Sequence, residues 1–210
     1  MSGIFITFEG GEGAGKSTLM KGVHQRFLDA GKIVLQTRAP GGTPFGEKIR
    51  SILLHEEKAL NKKSELFLFL ADRAHHVEEV IKPALLDGKV VLCDRYNDST
   101  VAYQGVAREL DSSFVRSLCS FATGNLEPDL TFYLDVDPLV GLERAERASG
   151  SKDRMESESL DFHQKIRKAF HAMARQEPSR IRQLDATLSS ELILKEATEL
   201  LHALFPSLWQ

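Results

Sequence analysis

Residues 10–17, Gly10-Gly11-Glu12-Gly13-Ala14-Gly15-Lys16-Ser17, restrict this chain more than any other stretch. The run satisfies G-x-x-x-x-G-K-[ST], and its flanks are those such a run requires. β-rich residues 4–8 precede it, and Leu19, Met20, Val23 and Phe27 follow at helical spacing up to a stop at Gly31. Glycines let the backbone bend tightly and bring its N–H groups against an anion. Lys16 places a positive charge on β- and γ-phosphates, Ser17 offers a hydroxyl to Mg²⁺, and the start of the helix adds its dipole. Gly10, Gly11, Glu12, Gly13, Ala14, Gly15, Lys16, Ser17 and Thr18 are therefore the candidate residues for binding ATP with Mg²⁺. Phosphate binding follows from this loop; what is done with the phosphate does not.

Beyond the loop, short apolar runs alternate with helical patterns. Strands are expected at 33–35, 90–93, 130–134 and 180–184. Helices are expected around Phe45, Ile49, Ile52 and Leu53; over 64–86, kinked near its end by Pro83; over 99–108 and 112–123; after Asp137-Pro138; and from Leu160. An amphipathic final helix carries Ile193, Ala197, Leu200, Leu201 and Leu204. The 90–93 run is apolar throughout, as in a strand covered on both faces. This order implies an α/β fold: three layers, a parallel sheet of about five strands with helices on both faces, of the P-loop NTPase type. At 210 residues a single domain, 1–210, is expected. Residues 149–153 interrupt the apolar pattern, so a small mobile lid is expected over about 144–156.

The net charge of -3 argues against a general nucleic-acid or membrane-surface binder, which would carry a basic excess. Cys93 and Cys119 sit in no metal or disulfide spacing. No apolar run approaches the roughly 18–20 residues that span a bilayer. The opening MSGIFITFEG lacks the basic start and long apolar stretch of a signal peptide. The cytoplasm is the expected compartment.

Asp94-Arg95-Tyr96 follows the most buried strand, at the sheet edge where ligands of open parallel sheets bind. An acceptor that is itself a phosphate ester must be held against repulsion from ATP, and a bidentate arginine such as Arg95 suits that task. Ser17 and Asp94 are the candidate Mg²⁺ ligands. Arg144, Arg147, Lys152 and Arg154 cluster in the expected lid, where cations over the transferred group would stabilise charge and exclude water. Arg144 and Arg147 alternate with Glu143 and Glu146, which is also the pattern of a solvated, salt-bridged face. A guanine-binding switch is disfavoured, because Asn61-Lys62 lacks the aspartate of N-K-x-D.

Together these segments resemble the thymidylate kinases of the P-loop nucleoside-monophosphate kinase group. The likeness is carried by FEGGEGAGKST at 8–18, TRAPGGTPFGEKIR at 37–50, FLFLADRAHH at 67–76, IKPALLDGKVVLCDRYNDSTVAYQG at 81–105 and DRME at 153–156. The resemblance implies transfer of the γ-phosphoryl group of ATP to thymidine monophosphate, and a homodimer. It implies that Phe69 stacks on the thymine, Arg73 donates to a base carbonyl, and Thr100 and Gln104 line the pocket. Tyr103 would crowd a ribose 2′-hydroxyl, and Glu12 would lie near the 3′-hydroxyl. Arg50 and Arg95 would grip the acceptor phosphate. Because the loop 11–15 contains no arginine, the chain resembles the type whose catalytic arginine is in the lid. Lys16, Arg95, Arg154 and Arg147 are then the candidate catalytic residues.

One departure stands out: the family's R-E-P-G-G is Arg38-Ala39-Pro40-Gly41-Gly42 here, so a carboxylate that could orient Arg50 is missing. Glu9 is open to two readings, positioning Mg²⁺ or water, or a structural acceptor. The adenine site carries no motif; topology points to 185–187. The competing readings are a kinase for another nucleoside monophosphate and a non-catalytic ATP-binding module.

Overall fold

The computed structural model describes residues 3–55, 60–149 and 153–209. Five strands form one parallel sheet in the order β2-β3-β1-β4-β5: β1 (Ile4–Gly10), β2 (Val34–Arg38), β3 (Val90–Asp94), β4 (Leu130–Asp135) and β5 (Ile181–Asp185). Helices cover both faces, which is the fold class expected from the sequence.

The pleat explains why the central strands are apolar throughout. Ile6 and Phe8, Val90 and Leu92, and Leu130, Phe132 and Leu134 turn to one face. There α1 (Lys16–Asp29) and α9 (Ser190–Leu204) bury Leu19, Val23, Phe27, Ile193, Ala197 and Leu201 against them. The intervening Phe5, Val91 and Cys93 pack with Ala39, Val77, Ile81 and Tyr96 in a second cluster. A third cluster joins Tyr133 and Ile181 to three more helices: Leu66 and Leu70 of α3 (Lys62–His76), Val115 and Cys119 of α6 (Ser112–Thr123), and Ile166 and Phe170 of α8 (Leu160–Gln176). Thr7 and Thr131 are fully buried polar exceptions, and their hydroxyls bond each other at 2.7 Å.

Local signals set the helix ends. Asn61 accepts from the N–H groups of Lys63 and Ser64 at the start of α3, and Asp111 does the same for Ser113 and Phe114 in α6. α2 (Pro44–His55) and α7 (Pro138–Ser149) each begin on a proline. The stretch expected as one helix kinked by Pro83 is instead α3, a widened π-type turn at Val77–Ile81, and α4 (Lys82–Leu86), with Pro83 in the first turn of α4. Here the Lys82 N–H reaches back five residues to the Val77 carbonyl. α5 (Asn97–Thr100) likewise widens into a π-type segment, Val101–Ala107, where an ordinary helix was expected. Ile33, expected in β2, lies just outside it and is 69% exposed; β2 pairs with β3 from Val34 onward. Of the expected lid, residues 150–152, including Lys152, lie outside the described residues, and α7 continues through its first part to Ser149.

The parallel register sets Phe8 beside Asp94, so the loop after β1 and the Asp94-Arg95-Tyr96 turn after β3 emerge side by side at the carboxyl edge.

Candidate active site

Gly15 caps α1 in the left-handed conformation with no side-chain cap, leaving the first N–H groups of the helix available to an anion. Lys16 Nζ donates to the carbonyls of Gly10 (3.2 Å) and Gly11 (2.8 Å), which holds the ammonium over the loop. Burial, then the nearby Arg95, lowers its pKa. The loop also rests on α7. A Cβ on Gly13 would come within 1.9 Å of the Gly141 carbonyl, and one on Gly141 within 2.3 Å of the Glu12 carbonyl. Two glycines are needed for that approach.

Ser17 Oγ donates to Asp94 Oδ2 at 3.3 Å, while Asp94 Oδ1 is buried without a hydrogen-bond partner. A hydroxyl beside a half-unsatisfied carboxylate is a donor set suited to a hard cation that keeps most of its ligands as water and phosphate oxygens. No cluster of three or more His, Cys, Asp or Glu side chains that could hold a metal occurs among the described residues.

Arg95 adopts φ 68°, a left-handed conformation uncommon outside glycine. Its side chain spans the two loops: Nη1 donates to Gly10 O (3.1 Å), Ser99 Oγ (3.3 Å) and Tyr103 Oη (3.0 Å), and Nη2 to Glu12 Oε1 (2.7 Å). Tyr103 donates to the same Glu12 oxygen at 2.7 Å. Burial alone would raise the Glu12 pKa, but Arg95 and Lys16 outweigh it and hold the carboxyl at about 2. Glu12 is therefore ionised inside an anion-binding loop. Glu9 behaves oppositely: burial and the neighbouring Asp98 push it up to about 7, although Tyr96 N–H and Ser99 Oγ donate to it. Those contacts make Glu9 a structural acceptor, the second of its two readings.

A cleft opens beside Arg95, on the side of the phosphate loop where Glu12 lies. The expected acceptor-side residues Glu12, Arg50, Phe69, Arg73, Arg95, Thr100, Tyr103 and Gln104 all line it. Arg73 is buried, donates to Asn97 Oδ1 at 2.9 Å, lies 4.5 Å over the Tyr96 ring, and keeps its Nε unpartnered. Arg50 Nη1 donates to the Pro40 carbonyl at 3.0 Å, next to Ala39. Ala39, Leu54, Asp153 and Met155 also form the wall. Sequence reasoning missed the last three, whose places depend on tertiary packing; Asp153 and Glu156 form a reciprocal capping pair that positions Met155.

A second pocket lies on the other side of the phosphate loop, lined by Gly15, Thr18, Arg144, Ala186, Leu188 and Ser190 among others. Arg144 donates to the Ala186 carbonyl at 2.9 Å. The 185–187 segment chosen from topology contributes Ala186 here, whereas Asp185 is occupied by the Thr187 N–H and hydroxyl.

The lid arginines are not gathered with Lys16 and Arg95 in this conformation. Arg147 is exposed and pairs with Glu143 one turn away at 3.1 Å. Arg154 donates to the Leu53 carbonyl and to Glu65, both at 2.7 Å.

A sequence model described as thymidylate kinase matches residues 8–197. A thymidylate kinase of Protochlamydia amoebophila is 47% identical over 207 residues, covering 95% of this chain and 92% of its own length. One of Thermomicrobium roseum is 51% identical over 189 residues, 90% of each chain. Among solved structures, a thymidylate kinase from Ehrlichia chaffeensis superposes with a TM-score of 0.79 at 31% identity, covering 96% of this chain and all of that one. A two-sided cleft around a phosphate loop, with these likenesses over nearly its whole length, places the chain in the thymidylate kinase family.

Proposed function

We propose that this chain transfers the γ-phosphoryl group of ATP to thymidine monophosphate, giving thymidine diphosphate and ADP, with the two nucleotides entering from opposite sides of the phosphate loop. The observation that carries this reading is Arg95. Its guanidinium bonds the loop at Gly10 and Glu12 and at the same time lines the acceptor cleft.

The loop N–H groups and Lys16 hold the donor phosphates, and the pocket of Arg144, Ala186 and Leu188 receives the adenine. Ser17 and Asp94 would hold Mg²⁺, which would supply neutralisation of the donor's phosphate charge. Arg50 and Arg95 grip the acceptor phosphate, Phe69 stacks on the base, and Thr100 and Gln104 complete the wall. Tyr103, fixed on Glu12 and Arg95, stands where a 2′-hydroxyl would have to fit. The acceptor oxygen is already anionic, so positioning and charge neutralisation suffice without a strong base. Arg154, with Arg147, acts on the transferred group once it leaves Glu65.

The chain acts as one cytoplasmic catalytic unit and as a homodimer. Phe67 of α3 and Phe114 and Phe121 of α6 are 59%, 60% and 86% exposed on adjacent helices, an apolar surface suited to a second copy. None of the described helices is long and apolar enough to cross a membrane.

Steady-state ADP formation with ATP·Mg²⁺ and thymidylate, deoxyuridylate, deoxycytidylate or adenylate tests the reading. Strong preference for thymidylate is expected. Preference for another monophosphate would assign a different acceptor, and ATP binding without turnover of any of them would leave a nucleotide-binding module.

A further inference from the structure

Glu65, in the first turn of α3, is fully buried, and its only part in the steps above is to hold Arg154. Four donors converge on its carboxylate. Arg108 Nε and Nη2 reach Oε1 and Oε2 at 3.0 and 3.1 Å, Arg154 Nη2 reaches Oε2 at 2.7 Å, and Gln104 Nε2 reaches Oε1 at 2.9 Å. Burial pushes the Glu65 pKa up, but the Arg108 and Gln104 hydrogen bonds overcome it and keep it below the usual range. An ionised carboxylate only accepts, so the Gln104 amide must present its NH₂ to Glu65. The two ends of that amide are otherwise interchangeable.

The consequence falls in the acceptor cleft, which Gln104 lines. With its NH₂ committed, Gln104 has only its carbonyl oxygen left to offer a ligand. No donor among the described residues engages that oxygen. On the same cleft Arg73 is a donor only. An acceptor and a donor on one base edge match an imide, whose N3–H donates and whose neighbouring carbonyl accepts. They mismatch an amidine edge, where N3 accepts and the exocyclic amine donates. Resting on the kinase reading above, we propose that Glu65 is a positioning residue for base selection: it fixes the polarity of Gln104, so that the cleft takes thymine or uracil and rejects cytosine.

Sites built to pair a hydrogen-bonding edge reject the wrong edge strongly, because the mismatch leaves buried polar groups unpaired. Glu65→Gln removes the constraint, since an amide at 65 can face Gln104 with either end. The same substitution frees Arg154, so kcat alone cannot report on the base. Ratios between acceptors can, because a change at the transferred phosphate is common to all of them.

The experiment measures kcat/KM for thymidylate, deoxyuridylate and deoxycytidylate in the wild type and E65Q, with circular dichroism and melting curves confirming the fold. The expected result is a fall of at least about tenfold in the thymidylate-to-deoxycytidylate ratio, with the thymidylate-to-deoxyuridylate ratio unchanged. Should E65Q fail to fold, Gln104→Leu, which leaves the arginines on Glu65, is expected to lower the first ratio in the same way. A folded E65Q, or a Q104L, that keeps the wild-type ratio to deoxycytidylate overturns the proposal and leaves Glu65 a structural ion-pair centre. Absence of thymidylate turnover by the wild type would instead overturn the kinase reading, and this inference with it.

Discussion

Arg95 shows how one residue serves two loops. Its left-handed backbone folds the guanidinium back onto Gly10 and Glu12 instead of carrying it outward along β3. The tripeptide at 94–96 made its importance legible in sequence; the φ angle and the partnership with Glu12 were not. Glu9 stands just before the loop and Glu12 inside it; burial and Asp98 raise the pKa of the first, while Arg95 and Lys16 lower that of the second. The signs differ accordingly. Glu9 binds its proton more tightly folded than unfolded, so it lowers stability progressively as pH rises from about 4.5 to about 7. Glu12 contributes stability above its unfolded pKa, which is lost as pH falls from about 4.5 toward about 2. Melting curves of Glu9→Gln should therefore gain on the wild type between pH 5 and 7.5, and parallel curves would contradict a raised Glu9 pKa. Ala39 is 2% exposed at the cleft wall, beside the carbonyl that Arg50 uses. Ala39→Glu should lower the acceptor KM by supplying an acceptor there; an unchanged KM would make the position neutral.

Among the elements, those announced by local chemistry were the most legible. The Ser112–Thr123 helix follows its Asp111 cap, and the helix after Asp137 begins on Pro138. What escaped was geometry imposed by neighbours. The π-type segments at Val77–Ile81 and Val101–Ala107 have no composition that sets them apart from ordinary helix. Gly141 lies inside α7, where a glycine costs up to about 1 kcal/mol of helix stability relative to alanine. Its reason is the Glu12 carbonyl, 2.3 Å from where a Cβ would stand. Gly141→Ala should therefore displace the phosphate loop and raise the KM for ATP by about tenfold or more, with a smaller effect on the thymidylate KM. Equal effects on both, read from initial rates, would mean the contact does not position the loop.

For the molecule as a whole, alternation of strand and helix patterns was enough for a parallel sheet, but not for the order β2-β3-β1-β4-β5, because register depends on contacts far apart in sequence. The pocket at Arg144 and Ala186 was legible only in part, as the segment 185–187, because Arg144 reaches Ala186 only through tertiary packing. The cleft beside Arg95 was readable because half of its wall comes from two contiguous stretches, 69–73 and 95–104. The exposed Phe121 lies on no sequence stripe long enough to announce a dimer. Light scattering should give twice the 23.4 kDa chain mass, and Phe121→Glu should shift it to the monomer. The most direct test of the two-sided site is rapid-quench single-turnover transfer from ATP to thymidylate in Arg95→Ala, with ATP affinity measured alongside. A loss of 10²–10³-fold, on the order expected for one preorganised donor, with ATP affinity retained, is the expected result. A loss under about tenfold would contradict the role of Arg95 at the meeting point of the two nucleotides.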